Sequence, residues 1–394
     1  MRPRASLFLG PLGILALLGC SGSDTVYGPS SGYLVNAIAV ADIDANGLPD
    51  ILGMVSTDIG GVATQGYVST RLQSTAGAFV MPTRFGVGTG PANLVATDVN
   101  GDGRPDLVVA NANDQTVTVR LADPARPGFF LPAMVLATPG RTPLDVAVGD
   151  LNGDGLMDVV VAASGANSVL VFAQTATGTF NPPVAYAVGG DPQAVTVADL
   201  DGNGRADIAA ATTANTVSVL LQTGAGIFAS AADYTTGVQP VAIRAGDLDG
   251  DGKLDLLTAN WGAALSPGTQ GLSVLIQGAP GTFAAPVHYA TDYRAAALAV
   301  GDLNGDGRPD VAVACAGLPG YPGATSVFLQ GGIVAGALLP AVNYTGAWGP
   351  LGVAFGDMDG DGRPDLVLAD GDIVVRLNSA ITPGTFGSPY FFYN

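Results

Sequence analysis

One nonapeptide, D-x-[D/N]-x-[D/N]-G-x-x-D, recurs seven times and carries most of the chemistry the chain could do. Its oxygen-bearing positions are Asp42, Asp44, Asn46, Asp50 in the first copy and Asp98, Asn100, Asp102, Asp106 in the second. Copies three and four hold Asp150, Asn152, Asp154, Asp158 and Asp199, Asp201, Asn203, Asp207. Copy five has Asp247, Asp249, Asp251, Asp255, and copy six Asp302, Asn304, Asp306, Asp310. The last has Asp357, Asp359, Asp361, Asp365. Hard donors thus stand at positions 1, 3, 5 and 9, and a backbone carbonyl at position 7 can add another. That set suits Ca²⁺, which takes about six to eight oxygens, better than Mg²⁺, which prefers a small octahedron that keeps its waters. Gly at position 6 in all seven copies permits a sharp bend without a Cβ clash. The opening resembles an EF-hand loop, but position 12 is never Glu and a strand-like run follows, so that reading is rejected. Up to seven calcium ions are expected, with the first copy least regular because Ala45 stands where the others have Gly.

All 33 acidic residues are Asp and 23 of them lie in these loops, which gives most of the net charge of −18 a local, geometric purpose. No basic stripe offers to meet phosphates, so nucleic acid is not an expected partner. Catalytic resources are few: no Glu, and a single histidine, His288, in a strand-like run. Asp114, Asp145, Asp191 and Asp292, outside the loops, read as turn residues. No catalytic residue is assigned.

The elements that must position the loops repeat with them. Successive copies start 48 to 56 residues apart. An apolar run precedes each copy, a second follows, a third comes later, and a fourth begins with Gly and an apolar residue, as in Gly178-Thr-Phe180. Four strands per unit of this length form one propeller blade. Consecutive apolar residues suit blades packed on both faces. The fold class is therefore all-β, a seven-bladed β-propeller with a calcium loop in each blade. Because a Gly-Phe segment follows the last loop and none precedes the first, the C-terminal strand is expected to complete the first blade, closing the ring with a one-strand offset.

On these residues the chain resembles the FG-GAP/VCBS repeat family, whose best-known members are integrin α-subunit propellers, over essentially all of residues 32–394. In a four-stranded meander the calcium loops occupy one face, and the resemblance implies that the other meets partners. Long loops at 56–66, 260–271 and 316–325, with the segments beside them, bring Trp261, Tyr293, Arg294, Tyr321 and Trp348 to that free face. Exposed aromatics with a polar rim suit recognition of sugars or peptides. The expected function is a calcium-stiffened binding or adhesion scaffold for a protein or glycan at the cell surface, acting as a monomer. The alternative is a polysaccharide hydrolase or lyase built on the same face.

The N-terminus supplies an address. Arg2 and Arg4 precede a short apolar stretch, Leu7 to Leu18, with the proportions of a secretory leader. It ends in Leu17-Leu18-Gly19-Cys20, which resembles the lipobox of bacterial lipoproteins. That resemblance implies a signal peptide over 1–19, a lipid on Cys20 and a tether over 20–31. A membrane-anchored place on the cell envelope, at the outer membrane or cell surface, is expected. The other cysteine, Cys315, lies in an apolar run and reads as a small buried hydrophobe.

Overall fold

The computed structural model describes residues 33–59, 62–63, 65–262, 271–318, 321–331, 336–346 and 348–392. The leader, Cys20 and the tether lie outside the described residues, as does most of the 260–271 loop. Within them the chain is all strand, turn and bend. Seven antiparallel meanders follow one another along 33–89, 91–137, 142–187, 192–235, 240–289, 295–345 and 352–392, each forming a separate four-stranded sheet around one axis. In the first, an additional short strand, Val62–Ala63, pairs with the second strand. The molecule is a seven-bladed β-propeller.

The apolar runs explain the arrangement. The second strand of five blades, for example Asp106–Asn111 or Asp310–Cys315, is buried at every position, and that of blade 3 at all but its last residue, because both faces pack on neighbouring blades. The buried side chains sort into seven clusters, one between each adjacent pair of blades. Cys315 is a free thiol fully buried between blades 5 and 6, and burial pushes its pKa up to about 12, so it acts as a hydrophobe.

The expected strand offset is not how the ring closes. The last strand, Tyr390–Phe392, pairs with Asp372–Arg376 of its own blade, and blade 1 owns an outer strand, Thr83–Thr89. Counted from its inner strand, each unit already contains a Gly-Phe segment after its loop, so no strand is left over to exchange. Closure is instead lateral. Val35, Ile51 and Val55 of blade 1 pack on Val367, Ala369, Ile373 and Val375 of blade 7. Val35 N–H donates to Gly371 O at 3.0 Å, and the Gln73 side chain donates to Met358 O at 2.5 Å.

The Gly-Phe segment also differs from expectation. It is not the start of the outer strand: Thr179–Phe180 folds back on Gln174–Ala176 as a small hairpin, and the outer strand begins at Val184. The hairpin aromatic meets the outer-strand aromatic of the preceding blade edge to face. Phe85–Phe130, Tyr186–Phe228, Tyr234–Phe283, Tyr344–Phe386 and Phe392–Phe79 lie 5.0 to 5.4 Å apart, forming a belt around the rim.

Candidate metal centres and the opposite face

Each nonapeptide connects the inner strand to the second strand of its blade, and its polar side chains coil the backbone before any ion is considered. In the second loop Asp98 accepts the N–H groups of Gly101 and Gly103 at 2.7 Å, one on each oxygen. Asn100 Oδ1 accepts from Asp102 N–H at 2.8 Å, and Asp102 Oδ1 from Arg104 N–H at 3.0 Å. Positions 4 and 6 have positive φ, 76° and 82° for Gly101 and Gly103, so the turn needs glycine twice. In the first loop Ala45 takes the position-4 conformation at φ 59°.

Position 9 is the keystone. Asp106 is fully buried; its Oδ2 accepts Val99 N–H at 2.9 Å and its Oδ1 accepts Ala122 N–H at 2.7 Å. The same pair of bonds recurs at Asp50, Asp158, Asp207, Asp255, Asp310 and Asp365. This aspartate therefore ties position 2 of the loop to the segment after the third strand. That segment in turn reaches the previous blade: the side-chain amides of Gln174, Gln222, Gln277 and Asn378 donate to Val99 O, Leu151 O, Leu200 O and Leu303 O. Blade 2 has Ala122 at this place, and Gly128 N–H bonds Ile43 O instead. Hydrogen bonds among the described residues thus join the acidic loops across six of the seven blade interfaces.

The donor set fits a hard divalent cation. In the loops at Asp42, Asp199, Asp247 and Asp357, three carboxylates bring oxygens within 4.8 Å of one another. The other three loops have Asn at position 3. Burial raises the pKa of Asp50, Asp106, Asp158, Asp255 and Asp365 to about 6, opposed by the two backbone N–H bonds and reinforced by neighbouring carboxylates. Burial likewise raises Asp207 and Asp310. Such crowding favours a cation that restores the ionised form. The position-7 cations partly serve the outer rim: the Arg104 guanidinium bonds Asp102 at 2.9 Å and holds its carboxyl below the usual range, as Lys253 does for Asp251. All oxygens and no nitrogen or sulfur are offered, a set compatible with Ca²⁺.

On the other face the aromatic residues group only in part. The Arg294 guanidinium lies over the Trp261 ring, 5.4 Å from its centre, and the rings of Tyr293 and Tyr321 lie 6.1 Å apart. These four form an arc across blades 5 and 6, with Tyr321 63% exposed at its outer end. Trp348 does not join a ring contact with them among the described residues. Its indole covers Gly371, where a Cβ would stand 2.9 Å from the ring, and the Trp348 backbone N–H donates to Asp370 Oδ1 at 2.9 Å.

His288 has a structural place. Ser273 Oγ accepts from Gly237 N–H and Asn260 Nδ2, so its one proton goes to His288 Nδ1 at 3.0 Å, leaving the ring proton on Nε2. The same serine position pairs with Asp233 in blade 4 and Asn343 in blade 6. Asp114 and Asp191 bind turn N–H groups, as their types suggest. Asp145 does not. It lies inside the inner strand Thr142–Gly149, 4% exposed, accepting from Asn93 Nδ2 at 2.5 Å and Val195 N–H at 2.9 Å. Pro143, two residues before it, imitates a turn in the sequence. The signal that could have found it is its position: the equivalent residue is Ala37, Ala194, Ala242 or Ala297 in four other blades.

Fold and loops together define a repeat propeller whose blades each present an acidic turn. The chain belongs to the family of FG-GAP-like repeat proteins, whose model matches residues 98–161, 150–210, 199–258 and 263–313. No curated protein matches by sequence. Among solved structures, BBS1N in complex with ARL6DN is similar with a TM-score of 0.54 at 12% identity, covering 89% of this chain and 94% of that one. The rhamnogalacturonan lyase PL11 of Bacillus licheniformis is similar with a TM-score of 0.50 at 14% identity, covering 85% of this chain and 70% of the lyase. At such identities the likeness is one of fold.

Proposed function

We propose that the chain is a calcium-stiffened binding scaffold that meets a protein or glycan on the face opposite its acidic loops. The observation that carries this reading is the Trp261–Arg294–Tyr293–Tyr321 arc, raised on a face the metal loops leave free. Rigid aromatics with a cation over one ring supply contact area at little entropic cost, the usual anchor of a recognition surface. Calcium in the loops would neutralise the carboxylates that otherwise repel one another and would fix the circuit joining loop to loop, so the binding face keeps its shape. One similar propeller, BBS1N, is itself seen in complex with another protein. The lipobox-like Leu17–Cys20 segment supports display on a bacterial envelope through a lipid on Cys20. Screening the full chain in detergent against protein and glycan arrays, with a product assay on each hit, tests the reading. Binding without turnover supports it, and release of shortened or unsaturated sugar would replace it with a polysaccharide hydrolase or lyase. Cys20→Ser should abolish lipid labelling, and an unchanged label would remove the anchor.

A further inference from the structure

At the binding face the inner strands of all seven blades converge on a cavity of about 150 Å³ at the mouth of the central channel. Its walls are kept thin by Ala37, Ala242, Ala297 and Gly352. Against this small-residue background stand a few polar groups. Arg244 uses one guanidinium N–H on Ile243 O, at 2.8 Å, and its Nε and Nη2 have no protein partner among the described residues. Asn36, which lines the cavity, gives its Nδ2 to Ser56 Oγ at 2.6 Å, and its Oδ1 has no protein partner among the described residues. Gln193 Oε1 has no protein acceptor role among the described residues either, while its Nε2 lies 3.4 Å from Asp191 O and Pro192 O. Trp261, the inner end of the aromatic arc, forms part of the wall.

Asp145 lines the mouth as well. Both its oxygens are occupied, by Asn93 Nδ2 and Val146 N–H on one and Val195 N–H on the other. It makes no direct ion pair with Arg244 among the described residues, but the Arg244 charge opposes the upward push that burial gives its pKa. The mouth therefore sets the Arg244 guanidinium beside a buried carboxyl whose ionisation burial disfavours.

We propose that this mouth holds one uncharged sugar ring, the end residue of a glycan whose preceding part lies on the aromatic arc. The proposal deepens the scaffold reading and rests on it. Free donors on Arg244 and free acceptors on Asn36 and Gln193 need a ligand that both gives and takes hydrogen bonds, as hydroxyl groups do. An anion would leave the amide oxygens opposed to it, in a chain of net charge −18. A cation would meet the Arg244 guanidinium, which lines the same cavity. Either case strands a desolvated polar group, which selects against it. The volume would hold roughly five waters at ~30 Å³ each, room for a single ring and too little for a peptide side chain with its backbone.

The test is titration calorimetry of the full chain in detergent with calcium. The probes are D-galactose, D-mannose, L-rhamnose and N-acetylglucosamine, with D-galacturonate as the anionic arm and choline as the cationic one. At least one neutral sugar should bind saturably. Arg244→Met should weaken it about tenfold or more, the weight of one charge-assisted hydrogen bond. Ala296→Phe, which fills the cavity, should abolish it without lowering the melting temperature. Should that variant not fold, Gln193→Ala at the rim should reduce the affinity. No saturable neutral sugar, or tighter binding of galacturonate or choline, overturns the proposal. A sugar whose binding ignores both channel variants and is lost in Tyr321→Ala also overturns it, while leaving the arc and the scaffold reading standing. The scaffold reading itself falls only if the array screen also yields no ligand.

Discussion

Position 9 of each loop binds two backbone N–H groups while buried at 0% exposure, which makes its proton affinity a probe of the whole loop. Without an ion, five of these aspartates titrate at about 6 in the fold against an ordinary 3.8. The folded chain then binds protons more tightly than the unfolded one, so acidification from above pH 6 towards pH 4 should stabilise it. With saturating calcium the sign reverses, because protons displace the ion. Melting curves in chelator and in calcium should therefore slope oppositely across that window, and parallel slopes would show that these carboxylates do not hold the ion. Ala45 offers a second check. Its left-handed conformation at φ 59° costs roughly 1 kcal/mol, so Ala45→Gly should stabilise the chain by about 0.5–1 kcal/mol. A loss of stability would mean that the loop does not need glycine there. The loop residues were legible in the sequence because spacing alone makes a hard-oxygen site. Asp145 was not, because Pro143 two residues earlier carries a turn signal and only a comparison of all inner strands reveals the odd position.

At the level of elements, the small hairpin after the third strand does two jobs that periodicity hinted at without resolving. Its amide locks the preceding loop and its aromatic clasps the preceding rim. Gln174 donates to Val99 O and Met157 O at 3.0 Å while accepting Gly178 N–H at 2.7 Å. Gln174→Leu should strand these buried groups and cost about 1–3 kcal/mol in denaturant unfolding. An unchanged midpoint would show that water replaces the amide. The Tyr186–Phe228 contact at 5.0 Å can be isolated by a double-mutant cycle to Ala, which should give a coupling of roughly 0.5–1.5 kcal/mol. A coupling near zero would reduce the belt to independent side chains. The Gly-Phe tract was visible in the sequence, but its hairpin was not. A two-residue strand has no period to read, and its partner aromatic belongs to another blade.

For the whole molecule, the count of seven blades came directly from seven loops, since each nonapeptide must join two strands of one sheet. The manner of closure did not. Counting Gly-Phe segments cannot say where a unit begins, and the lateral cluster of Val35, Ile51, Val367 and Ile373 arises only once the two ends of the chain are brought side by side. A ring closed by packing and by the loop circuit, without strand exchange, depends on every loop keeping its shape. Metal analysis of the extensively dialysed full chain, paired with its melting temperature before and after chelation, tests this most directly. An ion that binds only the folded state stabilises it by RT ln(1 + [L]/Kd) per site. The account predicts more than about three calcium ions per chain, up to one in each of the seven loops, and a fall in melting temperature on their removal. Fewer than about three ions, with a melting temperature indifferent to chelator, would contradict it and leave the loops as metal-free turns held by their own hydrogen bonds.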